Sequence, residues 1–244
     1  MKLSSLLTVG TALFTIVVVR ESDAANVVQC GDIISETTKL NDHLECDCNN
    51  GPALIVESAT LNMNKKNVSC QEGTSLPYTN NAQGVITLLG KKSKVSNGFV
   101  ISNNDQTSYG VVLGGVGKHQ LSNVEAVSFN TGILIDEYSS KNTISKCKSK
   151  DSDYGFFVYG NSNTLKQNMA TSNNYNGFYV TGNSNTLKKN EAKENESDGF
   201  YVGGNSNTLK RNKATRNIYT GFVIYDATTG NTVKKNKAAE NGFA

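Results

Sequence analysis

The sequence predicts an all-β protein, a right-handed parallel β-helix, in which a single-stranded solenoid makes about seven coils with a period of about 22 residues. Three observations support this prediction. The sequence contains an internal repeat of constant length, apolar and polar residues alternate within each repeat, and asparagines recur at fixed positions. A unit of this length is too short for two helices and their loop, but it accommodates several short strands and turns.

The repeat is clearest in the C-terminal half of the chain. A glycine followed by an aromatic residue begins a four-residue block every 22 residues, at 155–158, 177–180, 199–202 and 221–224. A leucine follows each of the first three glycines ten residues later, at Leu165, Leu187 and Leu209. Fainter copies begin at Gly84, Gly110 and Gly132, and residues 53–70 alternate as a first coil would.

Alternation within each block predicts which side chains face the core, because successive residues of a strand point to opposite faces. Stacked coils then bring equivalent residues to about 4.8 Å from one another. A single coil cannot bury its apolar side, so neighbouring coils must stack to make a continuous core. We expect one inward column of phenylalanines, made of Phe156, Phe178, Phe200 and Phe222.

Asparagines recur in two further positions of the repeat, and inward amides at a turn can hydrogen-bond to the next coil as a ladder. Cys147 occupies the first of these positions in its own coil, and Asp151 precedes the second column by one coil. We therefore interpret Cys147 as a buried, inert residue. The columns are Asn168, Asn190, Asn212 and Asn236, and Asn173, Asn195, Asn217 and Asn241.

The pattern Asn-x-[Leu/Ile]-x-x-Asn-x-Ala-x-x-Asn, followed by Gly-[Phe/Ile]-x-[Val/Ile], resembles the repeat of NosD-type β-helix proteins. These belong to a broad superfamily that includes the pectate-lyase fold, and the resemblance covers roughly residues 53–243. It implies the fold and leaves the activity open, because the matching residues are those that form the core and the ladders. A copper role has been proposed for NosD-type proteins, but the repeats here lack a His/Met/Cys cluster, so we expect no metal and no cofactor.

The N-terminus predicts export. Residues 1–25 combine Lys2, an apolar stretch and small residues before a cleavage site, which is typical of a secretory signal peptide. We expect a secreted, extracellular protein with no membrane segment after cleavage, because nothing later is long and apolar enough to span a bilayer. The predicted organisation is a signal peptide at 1–25, a cysteine-containing N-terminal cap at 26–52 and the β-helix domain at 53–244.

Four clustered cysteines, Cys30, Cys46, Cys48 and Cys70, predict two disulfides in an exported chain. Cys46 and Cys48 are too close to bridge each other comfortably, which leaves two pairings open. Asn67 and Asn195 begin glycosylation sequons, and Asn67 is the better candidate because Asn195 lies in a ladder position.

Two outward columns are candidate binding residues. Phe157, Tyr179 and Tyr201 form an aromatic column that can stack on sugar rings, although ordinary β-propensity and cross-coil packing also explain it. A column of lysines can attract a polyanion, although it also suits a solvated surface that keeps a repetitive sheet soluble. These lysines are Lys166, Lys188, Lys210 and Lys234.

The sequence favours a non-catalytic protein that binds extracellular or cell-wall polysaccharide. The alternatives are a carbohydrate-active enzyme of the pectate-lyase-like class (a polysaccharide lyase, hydrolase or epimerase) and a structural or adhesive surface protein. We identify no catalytic residues, since Asp151 and Asp153 form the one local aspartate pair and both suit turns. The net charge of +3 does not indicate a nucleic-acid partner.

The C-terminal end of the repeat predicts self-association. The chain reaches Gly242 where the next coil would begin, so the last coil should present apolar residues and an unpaired strand edge. Such an edge can pair with another chain. We expect either end-to-end self-association through this coil or fraying of it.

Overall fold

The structure is a computed structural model that describes residues 27–71, 83–102 and 109–243, so the predicted signal peptide lies outside the described residues. Within them the chain forms 25 short β-strands and one turn of 3₁₀ helix, Cys48–Asn50. No helix in these segments is long and apolar enough to cross a membrane.

One face of the solenoid is a parallel sheet of nine strands, hydrogen-bonded in chain order. We call it the first sheet. Its strands are β1 (Asp32–Ile34), β4 (Leu54–Glu57), β7 (Ile86–Leu89), β9 (Tyr109–Leu113), β11 (Thr131–Ile135), β14 (Tyr154–Val158), β17 (Phe178–Val180), β20 (Phe200–Val202) and β23 (Phe222–Ile224).

The second sheet contains the other 16 strands, arranged as two columns that meet at a bend. Two long strands, β8 (Lys94–Ser102) and β10 (Gln120–Val127), run through the bend and belong to both columns. The column before the bend contains β2 (Thr38–Lys39), β5 (Thr60–Asn62), β12 (Thr143–Ser145), β15 (Thr164–Lys166), β18 (Thr186–Lys188), β21 (Thr208–Lys210) and β24 (Thr232–Lys234). The column after it contains β3 (Leu44–Cys46), β6 (Asn67–Cys70), β13 (Lys148–Lys150), β16 (Met169–Thr171), β19 (Glu191–Lys193), β22 (Lys213–Thr215) and β25 (Lys237–Ala239).

The parallel β-solenoid predicted from the sequence is confirmed, but the predicted count of about seven coils is slightly low. The structure makes about eight turns. The additional turn comes from the cysteine-containing segment predicted as a cap. Its strands β1, β2 and β3 pair in parallel with β4, β5 and β6, so this segment also forms the first level of the stack.

Two disulfides fasten the first levels together. Cys30 pairs with Cys46, and Cys48 pairs with Cys70. Cys46 lies beside Cys70 in the register of β3 and β6, yet it bonds to Cys30, and Cys70 bonds to Cys48 in the 3₁₀ turn. Two disulfides are typical of a protein that folds outside the reducing cytosol.

The core follows the predicted inward columns. Phe156, Phe178 and Phe200 are at most 1% exposed, and their rings stack nearly parallel with centroids 4.6 and 4.7 Å apart. The glycine that begins each block is required by this packing. A Cβ at Gly177 would lie 2.8 Å from both the Asn195 Nδ2 atom and the Gly199 carbonyl oxygen.

Both predicted asparagine ladders form inside the solenoid. In the first, the backbone N–H of Asn168 donates to the Asn190 Oδ1 atom over 2.9 Å, and Asn190 donates in the same way to Asn212. Cys147 takes its expected place, since its N–H donates to the Asn168 Oδ1 atom. Burial of this thiol raises its pKa to about 12, which keeps it protonated and unreactive.

One ladder assignment was wrong. Ser152, not Asp151, precedes Asn173 in the second ladder, because this coil is one residue shorter and the Ser152 N–H donates to the Asn173 Oδ1 atom. Asp151 instead adopts a left-handed turn conformation (φ 52°) and forms an ion pair with Lys150 over 3.4 Å.

A third buried ladder was not predicted. It joins the asparagines at the fourth position of the repeated Gly-Asn-Ser-Asn-Thr-Leu-Lys block, where each backbone N–H donates to the side-chain oxygen of the next member over 2.7–2.8 Å. Its members are Asn142, Asn163, Asn185, Asn207 and Asn231. The invariance of this asparagine in the block was the available signal.

His119 begins this third ladder and is fully buried. Its Nδ1 atom accepts from the Ser93 N–H over 3.1 Å, so its Nε2 atom carries the proton that it donates to the Gly114 carbonyl over 2.8 Å. Burial lowers the pKa of His119 below 6.5, an effect that the bond to Gly114 partly opposes. Protonation of Nδ1 would also break the bond from Ser93.

We therefore expect the free energy of unfolding to fall as the pH decreases below about 6.5, because the unfolded chain then binds a proton that folded His119 excludes. Denaturant titrations between pH 7.5 and about 5 measure this loss. His119→Asn introduces the asparagine that is found at the other positions of this ladder. This variant should not show the loss of stability at low pH. The control His43→Asn removes the exposed histidine, and an equal change in both variants would contradict the assignment.

The last coil is more exposed than those before it. Val233 is 49% exposed and Phe243 is 62% exposed, whereas Leu209 in the previous coil is fully buried. Self-association through this coil stays a prediction.

Candidate functional site

The outer face of the first sheet presents an aromatic surface. Phe157, Tyr179 and Tyr201 lie in register on β14, β17 and β20 and are each half-buried. Their ring centroids are 4.6 Å apart for Phe157 and Tyr179 and 4.8 Å apart for Tyr179 and Tyr201. The structure therefore brings the three predicted aromatic residues together.

The angles between the ring planes determine which contacts this column can offer to a ligand. The planes of Tyr179 and Tyr201 are only 6° apart, so each ring covers a face of the other. Phe157 lies against the opposite side of Tyr179, at 55°. A ligand above Tyr179 and Tyr201 would therefore meet ring edges and hydroxyl groups instead of ring faces. Hydrogen bonding is the interaction that this part of the column offers.

A cleft lies at the N-terminal end of the aromatic column. It has a volume of about 300 Å³ and crosses three consecutive coils. Phe157 packs in it at 4.3 Å from Tyr159 and 5.1 Å from Tyr154 between ring centroids. Its lining residues are Tyr109, Asn130, Thr131, Leu134, Asp153, Tyr154, Phe157 and Tyr159.

The floor of the cleft is apolar although it belongs to the outer face of the sheet. Leu134 occupies the same outward position as Phe157 one coil earlier and is only 3% exposed. Tyr159 at the rim is 47% exposed, so part of its ring is open to solvent. An apolar floor with polar groups at the rim suits a ligand that has both apolar and hydroxyl-bearing surfaces.

Three tyrosines of this surface, Tyr154, Tyr159 and Tyr179, stay neutral at ordinary pH. Burial is the largest cause that raises the pKa of Tyr154, Tyr159 and Tyr179, and neighbouring tyrosines raise it further. Neutral phenols both donate and accept hydrogen bonds, as sugar hydroxyl groups do. The surface therefore combines aromatic rings with hydroxyl groups of matching chemistry.

The carboxylates near the cleft are already engaged in local contacts. Asp153 accepts a hydrogen bond from the Asn174 side chain over 2.9 Å, and Asp151 pairs with Lys150. The aspartate pair noted in the sequence thus makes separate contacts. No group of three or more His, Cys, Asp or Glu side chains in the described segments is arranged to hold a metal ion.

The predicted lysine column lies on the second sheet, in a different part of the solenoid. Lys166, Lys188, Lys210 and Lys234 are in register on β15, β18, β21 and β24. The aromatic and lysine columns belong to different sheets, so they form two separate surfaces.

The two glycosylation candidates differ in accessibility. Asn195 is fully buried, and its Nδ2 atom donates to the Asn217 Oδ1 atom over 2.8 Å. A glycan on that nitrogen is incompatible with the ladder, so Asn195 is not a glycosylation site in this fold. Asn67 is partly exposed on β6 and stays a candidate.

The sequence did not identify Tyr109, Leu134 and Tyr159 as parts of the cleft. A signal was available for Leu134, because an apolar residue at an outward position indicates that something covers it. Tyr109 and Tyr159 lie 50 residues apart in sequence, and only the stacking of coils brings both to one cleft.

Comparisons with known proteins agree with this architecture. The family model for a right-handed β-helix region matches residues 85–238. A search of curated proteins finds no match. Among solved structures, the Dettilon tailspike protein (gp208) is similar with a TM-score of 0.56 at 13% identity, over 86% of this chain and 56% of that one.

The periplasmic alginate epimerase AlgG is also similar, with a TM-score of 0.51 at 12% identity, over 87% of this chain and 70% of that one. The chain thus spans only part of each of these proteins. Identities this low establish the fold alone. Because the family model covers more than half of the sequence, this chain belongs to the family of right-handed β-helix proteins.

Proposed function

We propose that this protein is secreted and binds extracellular or cell-wall polysaccharide, without catalysis, through the aromatic cleft and the tyrosine column beside it. The observation that carries the proposal is the cleft itself, where Leu134 forms an apolar floor and Tyr154, Phe157 and Tyr159 surround it. Aromatic rings pack against the apolar faces of sugars, while the phenol groups and Asp153 can bond to hydroxyl groups.

The continuation of the cleft along the solenoid favours a polymer over a single sugar. From Phe157 the aromatic column extends over two further coils to Tyr201, parallel to the helix axis. A chain of sugars lying along this direction would contact the cleft first and the tyrosine hydroxyl groups next. One structural neighbour is, by its name, an enzyme that acts on a polysaccharide, which is consistent with this proposal.

The proposal is tested with the purified mature protein on a panel of neutral and acidic polysaccharides. Tyr159→Ala should weaken binding by about fivefold, because one exposed aromatic contact contributes on the order of 1 kcal/mol. The matched control is Tyr225→Ala. Tyr225 follows the first-sheet strand as Tyr159 does, and is similarly exposed at 53%, but lies in the last coil away from the cleft.

The control variant should bind as the unmodified protein does. Equal losses in both variants would show that the cleft is not the binding site. Absence of binding to every polysaccharide on the panel would overturn the proposed function, and turnover of a bound polysaccharide would overturn its non-catalytic part.

A further inference from the structure

A basic surface runs along the bend of the second sheet, on a part of the molecule that the proposed function does not use. We call it the basic corner. It consists of the lysine column on the strands before the bend and of the adjoining turn residues, which adopt left-handed φ angles of 55–58°. Its residues are Lys166, Lys188, Lys210 and Lys234 in the column, and Lys146, Lys189, Arg211 and Lys235 in the turns.

The charge of the lysine column is not compensated by the protein. In the described segments, none of its four lysines has a carboxylate within 4.0 Å. Equivalent side chains lie one coil apart, which is about 4.8 Å between strands, so like charges repeat at close spacing. Such repulsion between like charges opposes folding.

The strands after the bend show the opposite arrangement in the same coils. Lys213 pairs with Glu191 on the adjacent coil over 2.9 Å, and Arg216 pairs with Glu194 over 2.8 Å. Lys148 on β13 likewise pairs with Glu125 on β10 over 3.3 Å. The repeat can therefore balance its charges between coils, and among the described residues it does so only on the strands and turns after the bend. This contrast distinguishes the basic corner from a generally charged surface.

The basic corner leads into a cleft of about 490 Å³, most of whose lining residues are asparagines or charged residues. Lys146 belongs to both, and Lys65 and Lys148 also line the cleft. Two asparagines form a ladder on its wall, where the Asn123 Nδ2 atom donates to the Asn97 Oδ1 atom over 3.1 Å. Lys148 is paired with Glu125, whereas no carboxylate of the described residues lies within 4.0 Å of Lys65 or Lys146, so these two supply the uncompensated positive charge of the cleft.

We propose that the basic corner binds an acidic polysaccharide, with the polymer lying parallel to the solenoid axis and an anionic group seated in the cleft between Lys65 and Lys146. The lysine column supplies one unpaired cation per coil, which matches a ligand that carries charge at regular intervals, whereas a small anion would need a single enclosed site. Single-stranded nucleic acid fits less well, because such sites stack bases on aromatic rings and the column beside the lysines consists of threonines. These threonines are Thr164, Thr186, Thr208 and Thr232.

The test measures the binding of the mature protein to polygalacturonate, which is carboxylated, to dextran sulfate, and to neutral dextran. At least one acidic polymer should bind, and its affinity should fall steeply as salt rises from low to physiological ionic strength, since exposed charges are screened. The double variant Lys188→Gln/Lys210→Gln should bind about fivefold more weakly, because each exposed ion contact contributes a modest amount.

The matched control is Lys193→Gln/Lys213→Gln, which removes the same charge from the same two coils but on the ion-paired side of the bend. This variant should lose much less affinity. Lys146→Gln tests the cleft separately and keeps the turn intact, because Gln167 holds the equivalent turn position with a φ of 58°. It should also weaken binding. Thermal unfolding of each variant establishes that the fold is retained.

Several results would overturn this inference. They are equal losses in the two double variants, affinity that does not depend on salt, binding of neutral dextran as tight as that of the acidic polymers, or tighter binding of single-stranded DNA than of either acidic polymer. The inference does not rest on the aromatic cleft. If Tyr159→Ala leaves polysaccharide binding unchanged, the proposed function fails while the outcome for the lysine variants still decides this one.

Discussion

Asn190→Ala is expected to lower the free energy of unfolding by about 4 kcal/mol, because it leaves several buried polar groups without partners. The Asn190 Oδ1 atom accepts from the Asn168 backbone N–H over 2.9 Å and from the Asn168 side chain over 3.1 Å. Its Nδ2 atom donates to the Leu165 carbonyl over 2.9 Å. Each buried group that loses its partner costs on the order of 1–3 kcal/mol.

The residues around Asn190 allow no simple repair. Asn168 and Asn190 are both 1% exposed, so water cannot replace the lost contacts without opening the stack. The matched control is Asn183→Ala in the same coil. The Asn183 side chain also accepts a backbone N–H, that of Asn205, but it is exposed, and water can take its place.

Denaturant titration of the two variants measures this difference. Asn183→Ala should cost less than about 1 kcal/mol, as expected for a solvent-exposed hydrogen bond. If both variants unfold at the same denaturant concentration, the buried ladder around Asn190 contributes no more than the exposed hydrogen bond of Asn183. The large role assigned to the buried asparagines would then be wrong.

Phe178→Ala is the second substitution for which we expect a large effect, a loss of about 3–5 kcal/mol. Phe178 is fully buried and its ring lies between those of Phe156 and Phe200, so alanine leaves a cavity in the middle of the stack. The coils above and below are held by their own strand pairs and ladders, which prevents them from closing the gap.

The neighbouring residue supplies the control, since Tyr179 lies on the same strand and its ring faces outward. Tyr179→Ala removes contacts with Phe157 and Tyr201 at a half-buried position and should cost about 1 kcal/mol. The difference between the two denaturant midpoints tests the inward and outward assignment of the whole column. Similar midpoints for the two variants would show that this assignment is wrong.

Much of the architecture could be predicted because each sequence repeat corresponds to one coil of the solenoid. Phe156, Phe178 and Phe200 recur at the spacing of one coil, and a residue that recurs once per coil must form a column. The prediction failed where the repeat changes its length. In the coil that contains Ser152 the spacing changes by one residue, and counting by 22 assigned Asp151 to a position that Ser152 occupies.

The candidate binding surfaces were only partly predictable. Alternation placed Phe157, Tyr179 and Tyr201 on the outer face, which the register confirms. The planes of the rings depend on how neighbouring side chains pack, and no linear pattern encodes this. Because the rings of Tyr179 and Tyr201 stack on each other, we propose the cleft beside the column, and not the column itself, as the place where a sugar ring packs.

The sequence by itself determined the solenoid, its period and the residues that line its core, because these depend on alternation and on identity between neighbouring coils. Only the tertiary structure decided the pairing of Cys30 with Cys46, the cleft that joins Tyr109 to Tyr159, and the contrast between paired and unpaired lysines across the bend. Each of these depends on the exact offset between coils and on side-chain directions at turns. Contacts of this kind form between residues that are distant in the sequence, so their geometry exists only once the coils have stacked.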